Sequence, residues 1–379
     1  MDHQEDETRI DFLQRLETDI SWYIMSFLDD PADLVRASAV SRFWQQFVIA
    51  NGLAKQLCLR KYPQLSNIVG IVNPNDGTVE SIENNSTVQW EILERSQKVY
   101  ASLLQAITKS KVSPKDCIAH AISASSTDNY PEESIVNTLN PRDRFIMRAS
   151  YWSSKGQSDP EVPETLIYKL RASIWVITEI DIQPFEAFFQ QGRPIYSAKF
   201  VRFRVGHPKS SSEIGNYLQM LPLQEPADDN FVWTYTSPEF PMVQENRLQP
   251  FKLPEPVLCI GGYLQIELLG RVQTQEMDGL FYVCVCYVRV LGRPLYPAFD
   301  IEILEPDGKL LLKYYAENLS SILKSSSFNE VPHLRHLEEE MLRERTSLLE
   351  ELLRGIQGPN YPFILDEDDD EEVNEGLVL

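Results

Sequence analysis

The sequence predicts an α+β protein, and three observations lead to this class. Up to about residue 150, apolar residues recur at spacings of three and four, which is typical of amphipathic helices. After that point, apolar and polar residues alternate in short segments bounded by Gly, Pro, Ser or Asp, which indicates an antiparallel sandwich or barrel. A leucine stripe near the end predicts a last amphipathic helix.

The chain has 379 residues, enough for two or three domains, and its patterns divide it into six segments. They are a disordered acidic N-terminus at 1–9, a three-helix unit at 10–62, a helical linker region at 63–149, an antiparallel β-sandwich at 150–330, a C-terminal helix at 331–357 and a disordered acidic tail at 358–379.

The three-helix unit is predicted from apolar spacing and from helix caps. Apolar residues stand at every fourth position from Leu16 to Ile24, so they share one face of a first helix. Asp30 followed by Pro31 predicts the N-cap and first residue of a second helix, and Ser41 predicts the N-cap of a third. Because three short helices bury only a small core, we expect a partner to complete this unit.

The linker region is expected to be helix and loop. An apolar stripe without proline or glycine predicts a helix over 87–107. The segment SPKDCIAHAISASSTDNYPEESIVNTL, at 113–139, is interpreted as a short helix that runs into a polar loop.

Six segments of alternating or continuous apolar character predict the sandwich strands. They are LIYKL at 166–170, SIWVITEIDIQPF at 173–185, SAKFVRFRV at 197–205, FVWTYTS at 231–237, YLQIELLG at 263–270 and FYVCVCYVRVL at 281–291. Along 201–205 we expect the apolar residues to face inward and the two arginines to face outward. Along 264–268 we expect Gln265 and Glu267 to face outward.

Two further features concern the end of the sandwich. The segment 281–290 is apolar on both faces, so we expect another element to cover its outer face. The leucine stripe at 334–352 is the preferred cover, and dimerisation through that stripe is the alternative. Pro306, Asp307 and Gly308 predict a hairpin within 299–315.

The helical segment LETDISWYIMSFLDDPADLVRASAVSRFWQQFVIANGLAKQLC, at 16–58, resembles an F-box, the module through which substrate receptors bind the Skp1 subunit of cullin-RING ubiquitin ligases. The resemblance implies that Skp1 is contacted by Leu16, Ile20, Ile24, Leu28, Pro31, Leu34, Val40, Trp44 and Phe47. The sequence departs from the family pattern at Glu17, where proline is usual. Together with the regions that follow, the chain resembles a plant group of F-box proteins.

The strand block opens with SYWSSKG at 150–156 and is similar to galactose-binding-like, discoidin-type sandwiches over about 150–292. In that family the ligand lies on loops at one end of the sandwich. The resemblance therefore implies target binding by Trp152, Lys155, Arg193 and His207. From the residue types alone, Trp152 can equally be a core residue and the charged residues can be solvated loop positions.

Charge and composition exclude several classes of protein. Fifty-six acidic and thirty-five basic side chains give a net charge of −21, which argues against nucleic acid or an anionic membrane as the main partner. The N-terminus lacks the pattern of a secretory signal, and no apolar run reaches the length of a membrane helix, so we expect a cytoplasmic or nuclear protein. Five scattered cysteines suit a reducing compartment, and Cys284 and Cys286 are predicted to be core thiols.

No catalytic motif, metal site or cofactor site is predicted, because the sequence lacks the nucleophile, histidine-ligand and phosphate-loop patterns. The leading hypothesis is a non-catalytic ubiquitin-ligase adapter that binds a Skp1-like protein, and through it a cullin, and presents a protein target held by the sandwich. A glycosylated target, or a lectin-like protein that binds sugars or other small ligands, is the first alternative. The second is an acidic-tail chaperone of basic proteins, suggested by DEDDDEE at 366–372.

Overall fold

The computed structural model describes residues 11–74, 86–142, 144–145, 148–210, 222–304 and 308–323. The predictions for the acidic N-terminus at 1–9, the C-terminal helix at 331–357 and the acidic tail at 358–379 lie outside these residues. The described part is α+β, as the sequence predicted, with helices first and a largely antiparallel β-structure after them.

The first part of the chain forms four short helices and one long one. They are α1 Thr18–Ser26, α2 Pro31–Ser38, α3 Arg42–Ala50, α4 Leu53–Lys61 and α5 Ser86–Lys109, and a short α6 Leu319–Leu323 follows the last strand. The predicted caps are confirmed: Asp30 accepts a hydrogen bond from the Ala32 amide at 2.8 Å, and Ser41 accepts one from the Trp44 amide at 3.3 Å. Gly52, at φ 55°, makes the turn from α3 into α4.

Nineteen strands are present in the described residues. They are β1 Ile68–Val72, β2 Lys115–Asp116, β3 Ile118–Ala124, β4 Arg144–Phe145, β5 Arg148–Ala149, β6 Trp152–Ser153, β7 Glu164–Leu170, β8 Ile174–Glu186, β9 Ile195–Tyr196, β10 Ala198–Pro208, β11 Phe231–Thr236, β12 Phe240–Pro241, β13 Gln249–Ile260, β14 Tyr263–Arg271, β15 Gln273–Thr274, β16 Phe281–Tyr282, β17 Cys284–Pro294, β18 Phe299–Leu304 and β19 Lys309–Tyr314.

Two sheets form the predicted sandwich. One has the order β11-β10-β14-β7-β3, with β12 beside β10, and the other has the order β13-β8-β17-β2, with β6 beside β17 and β9 beside β8. All these pairs are antiparallel. One core fills the space between the sheets, with residues such as Phe203 and Ile266 from the first and Ile180 and Val288 from the second. The antiparallel β-sandwich is therefore confirmed.

The prediction of a helical linker at 63–149 is wrong for part of that region. Helix α5 is present, but β3 replaces the short helix expected within 113–139, and it forms an edge of the sandwich by pairing with β7. Ile118 and Ala124 face the sandwich core, whereas Ile122 joins a smaller cluster on the other face. A short run that is apolar on both faces has no period that separates helix from strand, which explains the error.

Two predictions about strand faces have different outcomes. Along β10, the apolar residues at 201, 203 and 205 are buried and the arginines are partly exposed, as expected. On β14, however, Gln265 and Glu267 are buried rather than solvated. Glu267 is buried because it pairs with Arg202 and Arg204 on the neighbouring strand, and Gln265 donates a hydrogen bond to Asp228.

Strand β17 is covered on both faces by described residues. Val283 and Val285 face the sandwich core, while Cys284 and Cys286 face a cluster that includes Tyr151. The cover around the two cysteines is therefore formed by this cluster, which the sequence did not indicate. The leucine stripe at 334–352 lies outside the described residues.

A third sheet joins the helices to the sandwich. Strand β19 pairs antiparallel with β18, which confirms the predicted hairpin, and pairs in parallel with β1. One hydrophobic core contains Leu57 of α4, Leu103 of α5, Leu310 of β19 and the residues Ile174 and Leu258 of the sandwich strands β8 and β13. Part of the apolar surface of the small helical unit is thus buried by later segments of the same chain, so a partner is not needed to cover all of it.

Candidate functional site

The helices α1–α3 carry an exposed apolar surface, which we call the docking face. Of the nineteen large hydrophobic side chains that are exposed in the described residues, ten lie between residues 12 and 43. The docking face consists of Phe12, Leu16, Ile20, Trp22, Tyr23, Ile24, Phe27, Val35, Val40 and Phe43. Such a concentration of exposed apolar side chains is unusual for a soluble surface and typical of a protein-binding site.

The nine residues predicted to contact Skp1 divide by their burial. Leu16, Ile20, Ile24 and Val40 are exposed on the docking face, and Leu28, Pro31 and Trp44 are half-buried. Leu34 and Phe47 are buried in the core that the helices share with α5, so they stabilise the unit rather than present a surface. The apolar spacing alone did not separate these two roles, because a short helix between a core and a partner is apolar on both sides.

Hydrogen bonds fix the shape of the docking face. The side chain of Asp11 accepts a hydrogen bond from the Trp44 indole at 2.9 Å, and the ring of Phe12 meets that of Trp44 edge to face at 5.2 Å. On the other side, Arg60 of α4 donates to the Ser26 carbonyl at 2.6 Å and to the Asp29 carboxylate at 2.7 Å. The segments before and after α1 are therefore both tied to later helices.

The four predicted target-binding residues do not form one site. Trp152 is fully buried in the sandwich core, and its indole donates a hydrogen bond to the Ser126 carbonyl at 3.1 Å. His207 is also buried, near the end of β10; its Nδ1 lies 2.9 Å from the Pro208 carbonyl oxygen, and burial lowers its pKa. Target binding by Trp152 and His207 therefore has no support from their positions. Lys155 and Arg193 are exposed loop residues.

A pocket of about 240 Å³ is lined by residues of the segments 128–133, 151–153, 185–196 and 275–284, and neither Lys155 nor Arg193 is among them. We call it the tyrosine pocket, because Tyr151, Tyr196 and Tyr282 line it. Tyr151 stacks on Phe185, with ring centroids 3.8 Å apart, and Tyr196 meets Tyr282 edge to face at 6.4 Å. The exposed ring of Phe189 stands beside this cluster, 6.2 Å from Phe185.

Two carboxylates, Asp128 and Glu133, also line the tyrosine pocket. Burial raises the pKa of the Glu133 carboxyl, and the hydrogen bond that it accepts from the Tyr151 hydroxyl, at 2.8 Å, partly opposes this. Burial also raises the pKa of Asp128, and the negative charge of Asp278 raises it further, while Lys155 acts in the opposite direction. The pocket is therefore acidic as well as aromatic.

A buried ion pair holds the loops around the tyrosine pocket. Arg271 and Glu164 are both almost fully buried and are hydrogen-bonded to each other. Arg271 also donates to the Ser154 hydroxyl at 2.9 Å and to the carbonyls of Lys155 and Phe281 at 2.9 and 3.1 Å. On its other side, Glu164 accepts hydrogen bonds from the hydroxyls of Ser125 and Ser126. One charged pair thus joins three of the four chain segments that carry the pocket residues, those around 125–133, 151–155 and 271–284.

Comparisons with known proteins agree with the helical architecture. The F-box-like family model matches residues 15–60. The F-box protein At4g00755 of Arabidopsis thaliana is 52% identical over 315 residues, which cover 82% of this chain and 83% of that protein.

The chain belongs to the F-box protein family. The matched region of this F-box protein contains α1–α4 and nearly all of the docking face. Membership in the family implies a substrate-adapter role in ubiquitin ligases of the Skp1-cullin-F-box type.

Solved structures similar to this F-box protein align with less of the chain. A carbohydrate-binding module from a glycoside hydrolase of Clostridium perfringens is 13% identical and covers 46% of this chain and 90% of its own, with a TM-score of 0.30. Allantoicase from Saccharomyces cerevisiae is 14% identical and covers 54% of this chain and 55% of its own, with a TM-score of 0.34. Similarities at this level of identity and TM-score do not support a conclusion about a ligand.

The remaining features of this F-box protein concern its thiols, possible metal sites and possible membrane helices. All five cysteines are buried free thiols, as predicted for Cys284 and Cys286. Across the described ranges, no group of His, Cys, Asp and Glu could hold a metal ion, and none of the helices there is both long and apolar enough to span a membrane.

Sequence reasoning missed several residues of both sites. Tyr23, Phe27 and Phe43 belong to the docking face but were not among the predicted Skp1 contacts, and Asp11 and Arg60 fix its shape across more than thirty residues. The tyrosine pocket combines residues from distant segments, so its only sequence signal was the high aromatic content of 185–196 and 281–282.

Proposed function

We propose that this F-box protein is the target-recognition subunit of a Skp1-cullin-F-box ubiquitin ligase and binds a Skp1-like protein through the docking face. The observation that carries the proposal is the concentration of ten exposed apolar side chains between residues 12 and 43, nine of them within the region that matches the F-box family. Burying such a surface against an apolar groove is favourable by about 25 cal/mol for each Å² of apolar area removed from water.

In this proposal the protein contributes no reacting group. The docking face fixes it to Skp1, and through Skp1 to the cullin and the ubiquitin-conjugating enzyme. A target held by the sandwich is then kept at a high effective concentration near activated ubiquitin, which accelerates transfer by proximity. Assembly with such a ligase would place the protein in the cytoplasm or nucleus.

The proposal is tested by co-purification of the full chain with Skp1. We expect Ile20→Asp/Ile24→Asp to abolish binding, because two carboxylates would have to be buried in an apolar interface. The matched control is Phe200→Asp/Val243→Asp, which changes two similarly exposed apolar residues of the sandwich. Leu34 is unsuitable for this purpose, because its burial means that a substitution would also unfold the unit. Skp1 binding that survives in the Ile20/Ile24 variant would refute the proposal.

The lectin-like alternative receives less support. It relied on Trp152 to stack against a sugar ring, and the burial of Trp152 leaves it no exposed face. The chaperone alternative concerns the tail at 366–372, which lies outside the described residues.

A further inference from the structure

The tyrosine pocket has an unusual balance of hydrogen-bonding groups. All three tyrosine hydroxyls already donate their protons to acceptors outside the cavity or at its wall: Tyr151 donates to Glu133 at 2.8 Å, Tyr196 to the Gln190 amide oxygen at 2.8 Å and Tyr282 to Asp278 at 2.7 Å. Their oxygens can then offer only lone pairs to a ligand. The tyrosine hydroxyls therefore act as acceptors toward a ligand, in a lining whose side-chain donors include the amides of Asn129, Gln190 and Gln275.

The charges around the pocket also favour a ligand that donates hydrogen bonds, and in particular a cation. Asp128 and Glu133 line it, and Asp278 and Glu276 act on its tyrosines from nearby. Within the part of the chain that the structure describes, no lysine or arginine lines the pocket. The exposed Lys155 lowers the pKa of Asp128 from outside the lining. No cation is among the main groups that shift the pKa of Glu133, the more buried carboxylate. A cationic ligand would supply the missing positive charge.

Shape and aromatic walls narrow the choice of cation. A cavity of about 240 Å³ admits one long side chain but not a folded segment of a protein. The exposed ring of Phe189 offers a flat face beside the carboxylates. A guanidinium group is planar, stacks on aromatic rings and presents five N–H donors with no acceptor, whereas an ammonium group is a compact and more strongly hydrated charge.

We propose that the tyrosine pocket binds the guanidinium group of an arginine side chain on the target protein. Glu133 and Asp128 accept its hydrogen bonds, and Phe189 stacks on its plane. The identification of the ligand as part of a target rests on the proposed adapter function. The binding event itself does not depend on Skp1, so the two proposals fail separately.

The test is a titration of the purified full chain, followed by nuclear magnetic resonance, with three blocked amino acids: N-acetyl-arginine methylamide, the matching citrulline derivative and the matching lysine derivative. Citrulline has nearly the same shape as arginine but no charge. We expect the arginine derivative to bind at least about tenfold more tightly than the uncharged citrulline derivative, because a charge-assisted hydrogen bond is worth about tenfold or more. We also expect it to bind more tightly than the lysine derivative, because the planar guanidinium group stacks on an aromatic ring and presents more donors than an ammonium group. N-acetylgalactosamine in the same assay tests a sugar ligand.

Three variants tie the binding to the pocket. We expect Glu133→Gln and Asp128→Asn each to weaken arginine binding by about tenfold while the shape of the side chain is kept. Phe189→Ala should weaken it without a change of charge. The matched control is Glu255→Gln, an exposed carboxylate outside the pocket, which should leave binding unchanged.

Equal binding of citrulline and arginine, tighter binding of the sugar, no detectable arginine binding, or binding that is insensitive to Glu133→Gln would each overturn the inference. Thermal unfolding of each variant verifies that it is folded. Co-purification of the Glu133→Gln variant with Skp1 separates this result from the adapter proposal, because that variant should lose arginine binding and keep Skp1.

Discussion

The docking face permits a quantitative prediction for the triple variant Leu16→Ala/Ile20→Ala/Ile24→Ala. The three side chains are 38%, 45% and 41% exposed in the free protein. The fractions that a partner can still bury therefore add up to slightly more than one whole side chain. Full burial of a Leu or Ile side chain is worth about 1.5–3 kcal/mol. The variant should therefore weaken Skp1 binding by about 2–4 kcal/mol, or about 30-fold to 700-fold in Kd.

Isothermal titration calorimetry with purified Skp1 measures this loss, and circular dichroism verifies the fold. The melting temperature should fall, because the three side chains are each more than half buried in the free protein, so binding is measured well below it. The matched control Phe200→Ala/Val243→Ala removes similarly exposed apolar surface from the sandwich and should leave the Kd unchanged. By contrast, Leu34→Ala should cost about 2–5 kcal/mol of folding stability, because it leaves a cavity in the shared core. A Kd within about threefold of the wild type in the triple variant would refute the assignment of the docking face.

Three further predictions concern the sandwich and the thiols. Arg271→Leu should lower the free energy of unfolding by about 3–5 kcal/mol in urea titrations, because Glu164 would stay buried without its partner; a loss below about 1 kcal/mol would show that water compensates the carboxylate. Burial lowers the pKa of His207, so the unfolded chain binds more protons and stability falls as pH drops through the ordinary pKa of histidine. His207→Asn should reduce the stability difference between about pH 7.5 and about pH 5.5, and an unchanged difference would assign it to other groups. Burial raises the pKa of the Cys259 thiol to about 12, and all five cysteines are buried, so a thiol reagent should label the native protein slowly and the unfolded protein at five sites; rapid native labelling would contradict this.

The helical unit was the most predictable part of the chain, because its signals are local. Asp30, Pro31 and Ser41 each act within their own turn, and the structure uses all three as the sequence indicated. Six strands within 166–291 were also recognisable, since alternation and turn residues are local patterns, but β13 was not predicted. Strand β3 was not, because its apolar residues lie on both faces and only its pairing with β7 makes it a strand.

The candidate sites were less predictable, because burial and proximity depend on the whole fold. Nothing near Leu34 in the sequence distinguishes it from Ile24, yet one packs on α5 and the other is exposed. Trp152 was equally ambiguous, and the sandwich core decided its role. The tyrosine pocket depends on contacts such as that between Glu133 and Tyr151, which a single sequence without a template does not reveal.

The core that joins α4, α5, β19 and the sandwich strands β8 and β13 has a consequence for how a target would be modified. Parallel pairing of β1 with β19 places the segment that follows α4 in one sheet with the last described strand, so the helices are not suspended on a flexible tether. An adapter of this kind works as a spacer of fixed length. It would not move to reach a lysine, so the position of that lysine on the target, relative to the part held by the sandwich, would decide which residues receive ubiquitin.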